Sequence, residues 1–208
     1  MKKIMTIAAF VSLVFGLGAC GLPSKSRSIK GDQQIVAKYP VKRITRTTFD
    51  RIQVGSAVNG DGGTSFDSLM TLAGKPASIS TADVPGGVVK ATQFTWTNLD
   101  KNFNASKIQV QVIGSKVVGK KYLPKLSKDS KITYPIKIMS MQIGTPYSKV
   151  IQDVGIPDGD SVTGARLSQI KKLIYLTGKD GSAILISFNS NVLTTKTPMN
   201  VKNESHYF

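Results

Sequence analysis

Ser65-Phe66-Asp67-Ser68-Leu69-Met70-Thr71-Leu72-Ala73-Gly74-Lys75-Pro76 and Pro146-Tyr147-Ser148-Lys149-Val150-Ile151-Gln152-Asp153-Val154-Gly155-Ile156-Pro157 lie 81 residues apart and decide the reading of the fold. In the first, Phe66, Leu69, Met70 and Ala73 fall at i, i+3, i+4 and i+7; Tyr147, Val150, Ile151 and Val154 do so in the second. That spacing puts each set on one apolar stripe of a short helix. Thr64 or Ser65 can cap the first helix, with Asp67 in its first turn. Thr145 offers a capping hydroxyl before Pro146 at the first helical position of the second. Gly74 and Gly155 suit a left-handed helix end, and Pro76 and Pro157 forbid continuation.

After each helix the hydrophobic period changes to two. Residues 91–98, 107–113 and 117–122 read as successive strands, as do 172–177, 183–189 and 192–196. Segments 77–81 and 161–163 can supply a first strand in each set. Turn residues separate the runs, among them Gly114-Ser115 and Asn189-Ser190-Asn191. The expected fold class is therefore α+β: a tandem repeat, each unit a short helix with a three- or four-stranded antiparallel meander. Neither small sheet could bury much alone, so the two are expected to join into one concave sheet with helices on the other face.

Outward from these units, the N-terminus has a different character. Lys2 and Lys3 precede an apolar run over 4–15 and then Leu17-Gly18-Ala19-Cys20. That is the order of a secretory signal, and the tetrapeptide resembles the bacterial lipobox, whose cysteine receives a diacylglyceryl group. Cys20 is the one cysteine in the chain, so its acylation leaves no thiol for a disulfide. Two acyl chains at roughly 0.8 kcal/mol per buried CH₂ hold a protein on a bilayer. The expected organisation is a leader at 1–19, a lipidated cysteine and basic tether at 20–45, repeats at 46–126 and 127–202, and a tail at 203–208.

Composition narrows the chemistry. The 208 residues carry 28 Lys+Arg against 12 Asp+Glu, a formal net charge of +16. Such a field favours anionic partners, here lipid headgroups or anionic envelope polymer. Nucleic acid is not expected outside the cytoplasm, and with only five arginines there is no dense Arg-aromatic run. The lone histidine, His206, and the lone glutamate, Glu204, sit at the extreme C-terminus. His-based acid–base catalysis, Ser-His-Asp and Cys-His nucleophiles, and His- or Cys-ligated zinc are thereby removed. An enzyme would need paired aspartates in a pocket, so none is expected; nor is a cofactor or metal. Asp158-Gly159-Asp160 and the loop at 59–61 have oxygen ligands but lack full calcium spacing, and turn chemistry accounts for them.

The doubled pattern of Ile-x-x-Gly, short helix ending Gly-x-Pro and meander resembles the beta-lactamase inhibitory protein fold. The single unit resembles the small lipoproteins of the outer-membrane assembly machinery (the SmpA/OmlA group). The lipobox followed by two units is similar to an uncharacterised family of Gram-positive surface lipoproteins, over 47–202. The resemblance implies a binding or scaffolding module without catalysis; no residue that blocks a beta-lactamase site is carried over.

Trp96, Phe94 and Tyr175 are the candidate binding residues: anchors for a partner if they face outward, core if they face inward. Lys120-Lys121 and Lys171-Lys172 form either a basic patch or solvated strand ends. The expected function is a membrane-anchored, extracytoplasmic, non-catalytic module that binds an envelope protein. An adaptor for anionic polymer or headgroups is the alternative.

Overall fold

The computed structural model describes residues 29–84, 90–128, 130–165 and 168–206. The leader, Cys20 and the first part of the tether lie outside the described residues. Eight strands account for most of the fold: β1 (Ser78–Asp83), β2 (Lys90–Trp96), β3 (Ala105–Ile113), β4 (Lys116–Pro124), β5 (Gly159–Thr163), β6 (Ile170–Leu176), β7 (Ser182–Asn189) and β8 (Val192–Asn200). They form one open antiparallel sheet in the order β1-β2-β3-β4-β5-β6-β7-β8. Five short helices accompany it: α1 (Ile29–Val36), α2 (Arg46–Arg51), α3 (Phe66–Ala73), α4 (Pro135–Met139) and α5 (Tyr147–Val154).

This corrects the expected α+β tandem repeat. The strands belong to a single eight-stranded meander, and the helices are small additions of five to eight residues. The strands run on without a break through the centre of the sheet. Gly119, Lys120, Lys121 and Tyr122 of β4 pair with Thr163, Val162, Ser161 and Asp160 of β5. Their ladder leaves no unpaired edge in mid-molecule.

Side-chain alternation assigns the two faces. One row across the sheet reads Trp96, Ile108, Tyr122, Asp160, Leu173, Ile186 and Lys196. The helices pack on this face. Phe49 of α2 and Phe66, Leu69, Met70 and Ala73 of α3 join Phe94, Trp96, Ile108 and Tyr122 in one buried cluster. Ile138 of α4 and Val150 of α5 join Leu173, Tyr175, Ile184, Ile186 and Phe188 in a second.

The apolar stripes explain the helices, with one local revision. Ser65 Oγ accepts from Ser68 N, capping α3. Thr145 does not cap α5: its hydroxyl donates to the Gln142 carbonyl at 2.6 Å, and Pro146 occupies the cap position. Gly74 and Gly155 both end their helices at positive φ (70° and 100°). Their ψ of −162° and −166° is extended rather than left-handed helical, a region open essentially to glycine alone.

Candidate functional site

The face away from the helices is polar. Ser78, Thr95, Gln109, Lys121, Ser161, Lys172, Ser187 and Thr195 stand side by side, one from each strand. The next row contains Ser80, Gln93, Gln111, Gly119, Thr163 and Ile170. Neither row carries a carboxylate. Two small apolar clusters bound this floor at opposite ends. Val84, Ala91 and Val118 close one, while Ile174, Leu176, Leu185 and Met199 pack against Leu126 and Ile132 of the β4–α4 connection at the other.

A depression lies in the middle, lined by Gln93, Gln109, Gln111, Gly119, Lys121, Ser161, Thr163 and Lys172. Gly119 makes its floor: a Cβ there would stand 2.8 Å from Gln111 Oε1 and 3.5 Å from Thr163 Oγ1. Gln111 Nε2 donates to the Asp83 carbonyl at 3.1 Å, and Gln109 Nε2 reaches Thr95 Oγ1 at 3.4 Å. Burial lowers the Lys172 pKa from the usual ammonium value, since a desolvated cation gives up its proton more readily. The floor can therefore offer amide, hydroxyl and ammonium donors. Among the described residues it holds no paired carboxylates.

A second polar group sits on the helix-bearing face, over β4, β5 and β6. Asp160 is 8 % exposed, lies opposite Tyr122 and Leu173, and has an Oδ1 without a hydrogen-bond partner. Burial pushes its carboxyl up to about 6, against the pull of Arg46, Lys120 and Lys171. Lys120 and Lys171 are its diagonal neighbours on the flanking strands, within reach of long side chains. Both cations are engaged. Lys120 Nζ donates to the Phe49 carbonyl at the end of α2 (2.9 Å), and Lys171 Nζ donates to Asn191 Oδ1 (2.8 Å) over the Tyr147 ring. Arg46 pairs with Asp50 at 2.9 Å and donates to the Tyr122 hydroxyl, which in turn donates to the Pro157 carbonyl. These bonds tie α2 and the α5–β5 loop to mid-sheet.

The residues proposed as partner anchors are core residues. Trp96 and Tyr175 are each 1 % exposed and Phe94 is 0 % exposed. Trp96 Nε1 donates to the Gly74 carbonyl at 3.1 Å, and the Tyr175 hydroxyl donates to the Gly155 carbonyl at 2.8 Å. Each aromatic thus fastens a helix end to the sheet, an inward role that alternation alone did not decide. The lysine pairs split between faces: Lys120 and Lys171 point to the helices, Lys121 and Lys172 to the open floor. Asp158 Oδ2 accepts from Leu176 N, and Asn59 and Asp61 bond each other. Among the described residues no three His, Cys, Asp or Glu side chains gather as a metal site. Cys20 lies outside the described residues.

An open antiparallel sheet with helices on one face and, among the described residues, a polar floor on the other is a two-layer architecture that offers a broad surface rather than a closed cavity. The chain belongs to the family described as a domain of unknown function with solved structure, DUF3862, whose model matches residues 42–201. It shares its fold with a Streptococcus mutans protein described as a "putative beta-lactamase inhibitor protein". That match has a TM-score of 0.55 and 21% identity, covering 75% of this chain and 95% of the other. A Bacillus anthracis extracellular protein containing an SCP domain aligns at a TM-score of 0.26 and 12% identity, covering 76% of this chain and 46% of that one. No curated protein matches the chain.

Proposed function

We propose that this protein is a non-catalytic protein-binding module, held at the extracytoplasmic membrane surface through Cys20, whose open sheet face takes a partner with an acidic surface. The observation that carries this reading is the eight-residue row from Ser78 to Thr195. It crosses the whole sheet, has Lys121 and Lys172 flanking Ser161 at its centre, and includes no acidic residue. Lys107, on the same side of β3, adds to the positive field. Without the leader's Lys2 and Lys3 the chain keeps 26 Lys+Arg against 12 Asp+Glu, a net charge of +14, which raises the encounter rate with an acidic surface. The Streptococcus mutans neighbour is named as an inhibitor of an enzyme, which accords with recognition of a protein by this fold. The donors on the floor suit carboxylates and backbone carbonyls of a partner.

The test is crosslinking on intact cells followed by recovery of the protein, for wild type and for the double variant Lys121→Glu, Lys172→Glu. A discrete protein recovered with wild type, lost with the variant and weakened by salt supports the reading. Recovery unchanged by the variant contradicts it. Capture of anionic polymer in place of a protein also contradicts it and favours an adaptor for that polymer.

A further inference from the structure

Among the described residues, exposed large apolar side chains are most concentrated at α4. Tyr134 is 79% exposed, Ile136 78%, Met139 44% and Ile143 59%, all within ten residues of chain at α4. α4 has two apolar sides. Ile138 is fully buried in the cluster with Leu173 and Ile186, whereas Ile136 and Met139, three residues apart, lie together on the outer side. The helix is held in place. Thr133 N donates to the Leu176 carbonyl at 2.8 Å, and Lys196 Nζ donates to the Met139 and Met141 carbonyls. These bonds keep the apolar side chains outward.

The surroundings are cationic. Lys131 and Lys137 flank the exposed apolar side chains in sequence and are themselves exposed, and no carboxylate occurs in sequence between Asp129 and Asp153. Tyrosine and large aliphatic side chains beside lysines are the composition of an interfacial segment: apolar groups enter the headgroup boundary while ammonium groups meet anionic phosphates.

We propose that α4 and its flanks dock on an anionic lipid surface, giving the protein a second membrane contact besides the Cys20 anchor of the proposed function. α4 packs on the helix-bearing face through Ile138, so docking through Ile136 and Met139 leaves the Gln109–Lys121–Ser161 floor clear of the bilayer. Ile29, where the described chain begins, is nine residues from Cys20, a span of up to about 30 Å when extended. The tether therefore allows the folded part to lie down on the membrane.

Single tryptophans report the docking in the full-length chain. Met139→Trp places a fluorophore on the patch and Ser187→Trp places one on the open floor; native Trp96 is a buried constant background. Each is mixed with phosphatidylcholine vesicles, with and without phosphatidylglycerol, that contain brominated lipid as quencher. The expected result is a blue shift and quenching for Met139→Trp that require phosphatidylglycerol, with Ser187→Trp unquenched. Adding Ile136→Asp and Lys137→Glu to Met139→Trp should weaken vesicle-dependent quenching at least about fivefold. Sedimentation with vesicles after a high-salt wash reads the lipid anchor separately. Protein that sediments while Met139→Trp stays unquenched overturns the docking and leaves the anchorage standing. A blue-shifted Met139→Trp in a dimer free of lipid overturns it too, making the patch a contact between two copies.

Discussion

Replacing Asp160 with Asn removes one buried charge and leaves the shape of the site nearly unchanged. Asp160 is 8 % exposed, and burial raises its carboxyl pKa to about 6 despite Arg46, Lys120 and Lys171; Asp50 adds a smaller push upward. The folded chain thus holds this proton more tightly than the unfolded chain does. Between about pH 4 and pH 6 the folded state binds more protons, so raising pH through that window lowers stability. Above pH 6 the whole penalty is present. A rise of roughly two pH units, at 1.36 kcal/mol each, gives a penalty of about 3 kcal/mol. The groups facing Asp160 are Tyr122 and Lys120 of β4, Lys171 and Tyr175 of β6, Arg46 and Asp50 of α2, and Tyr147 of α5. Urea unfolding from pH 4 to pH 8 measures the effect. The two proteins should converge near pH 4, and Asp160→Asn should be the more stable by up to about 3 kcal/mol at pH 7 to 8. Taking the difference cancels every other group that titrates alike in both. A variant that is less stable than wild type at pH 7, or a gap that closes as pH rises, refutes the reasoning.

Other perturbations read the same framework. Lys120→Met removes a cation facing Asp160 and the ammonium that holds the Phe49 carbonyl, so the pH window of the wild-type–Asp160→Asn difference should move upward in that background; urea unfolding against pH shows it. Trp96→Phe leaves the Gly74 carbonyl without its indole partner, and Tyr175→Phe does the same to Gly155; each should cost about 1 to 2 kcal/mol in chemical denaturation. Gly74→Ala forces a side chain into a glycine-only conformation, with its Cβ 2.4 Å from the Pro40 carbonyl. It should destabilise by more than Gly155→Ala, which has the same strain of about 1 to 3 kcal/mol but open space around it; thermal melts of the pair decide this.

Much of the local structure was legible in the sequence, because short-range rules govern it. The stripe Phe66, Leu69, Met70 and Ala73 is buried throughout, and Gly74 and Gly155 take the positive φ their helix ends require. The strands fall where alternation of period two placed them. What alternation does not carry is the relation between segments. The repeated pattern suggested an α+β tandem repeat, whereas strands dominate one open eight-stranded sheet and the helices span only five to eight residues each. Trp96 and Tyr175 were ambiguous because an aromatic in a strand suits either face; their ring N–H and O–H found carbonyl partners inside. Lys121 and Lys172 were weighed as a basic patch, but the rest of their row was not legible for a related reason. Gln109, Ser161 and Ser187 are unremarkable singly, and only the register aligns them in one row. The signal available was the run of polar residues at every second position of β3, Lys107, Gln109 and Gln111. Asp160 was dismissed as turn chemistry because glycine precedes it, yet β5 carries it into the interior.

Recognition by the polar face of the sheet is most directly tested by photo-crosslinking from single positions in living cells. A photoreactive residue at Gln109 or Ser187 on the floor should capture one discrete protein, and the same residue at Ser148 on α5 should not. Capture from Ser148 with none from Gln109 and Ser187 would place recognition on the helices and contradict the assignment of the floor.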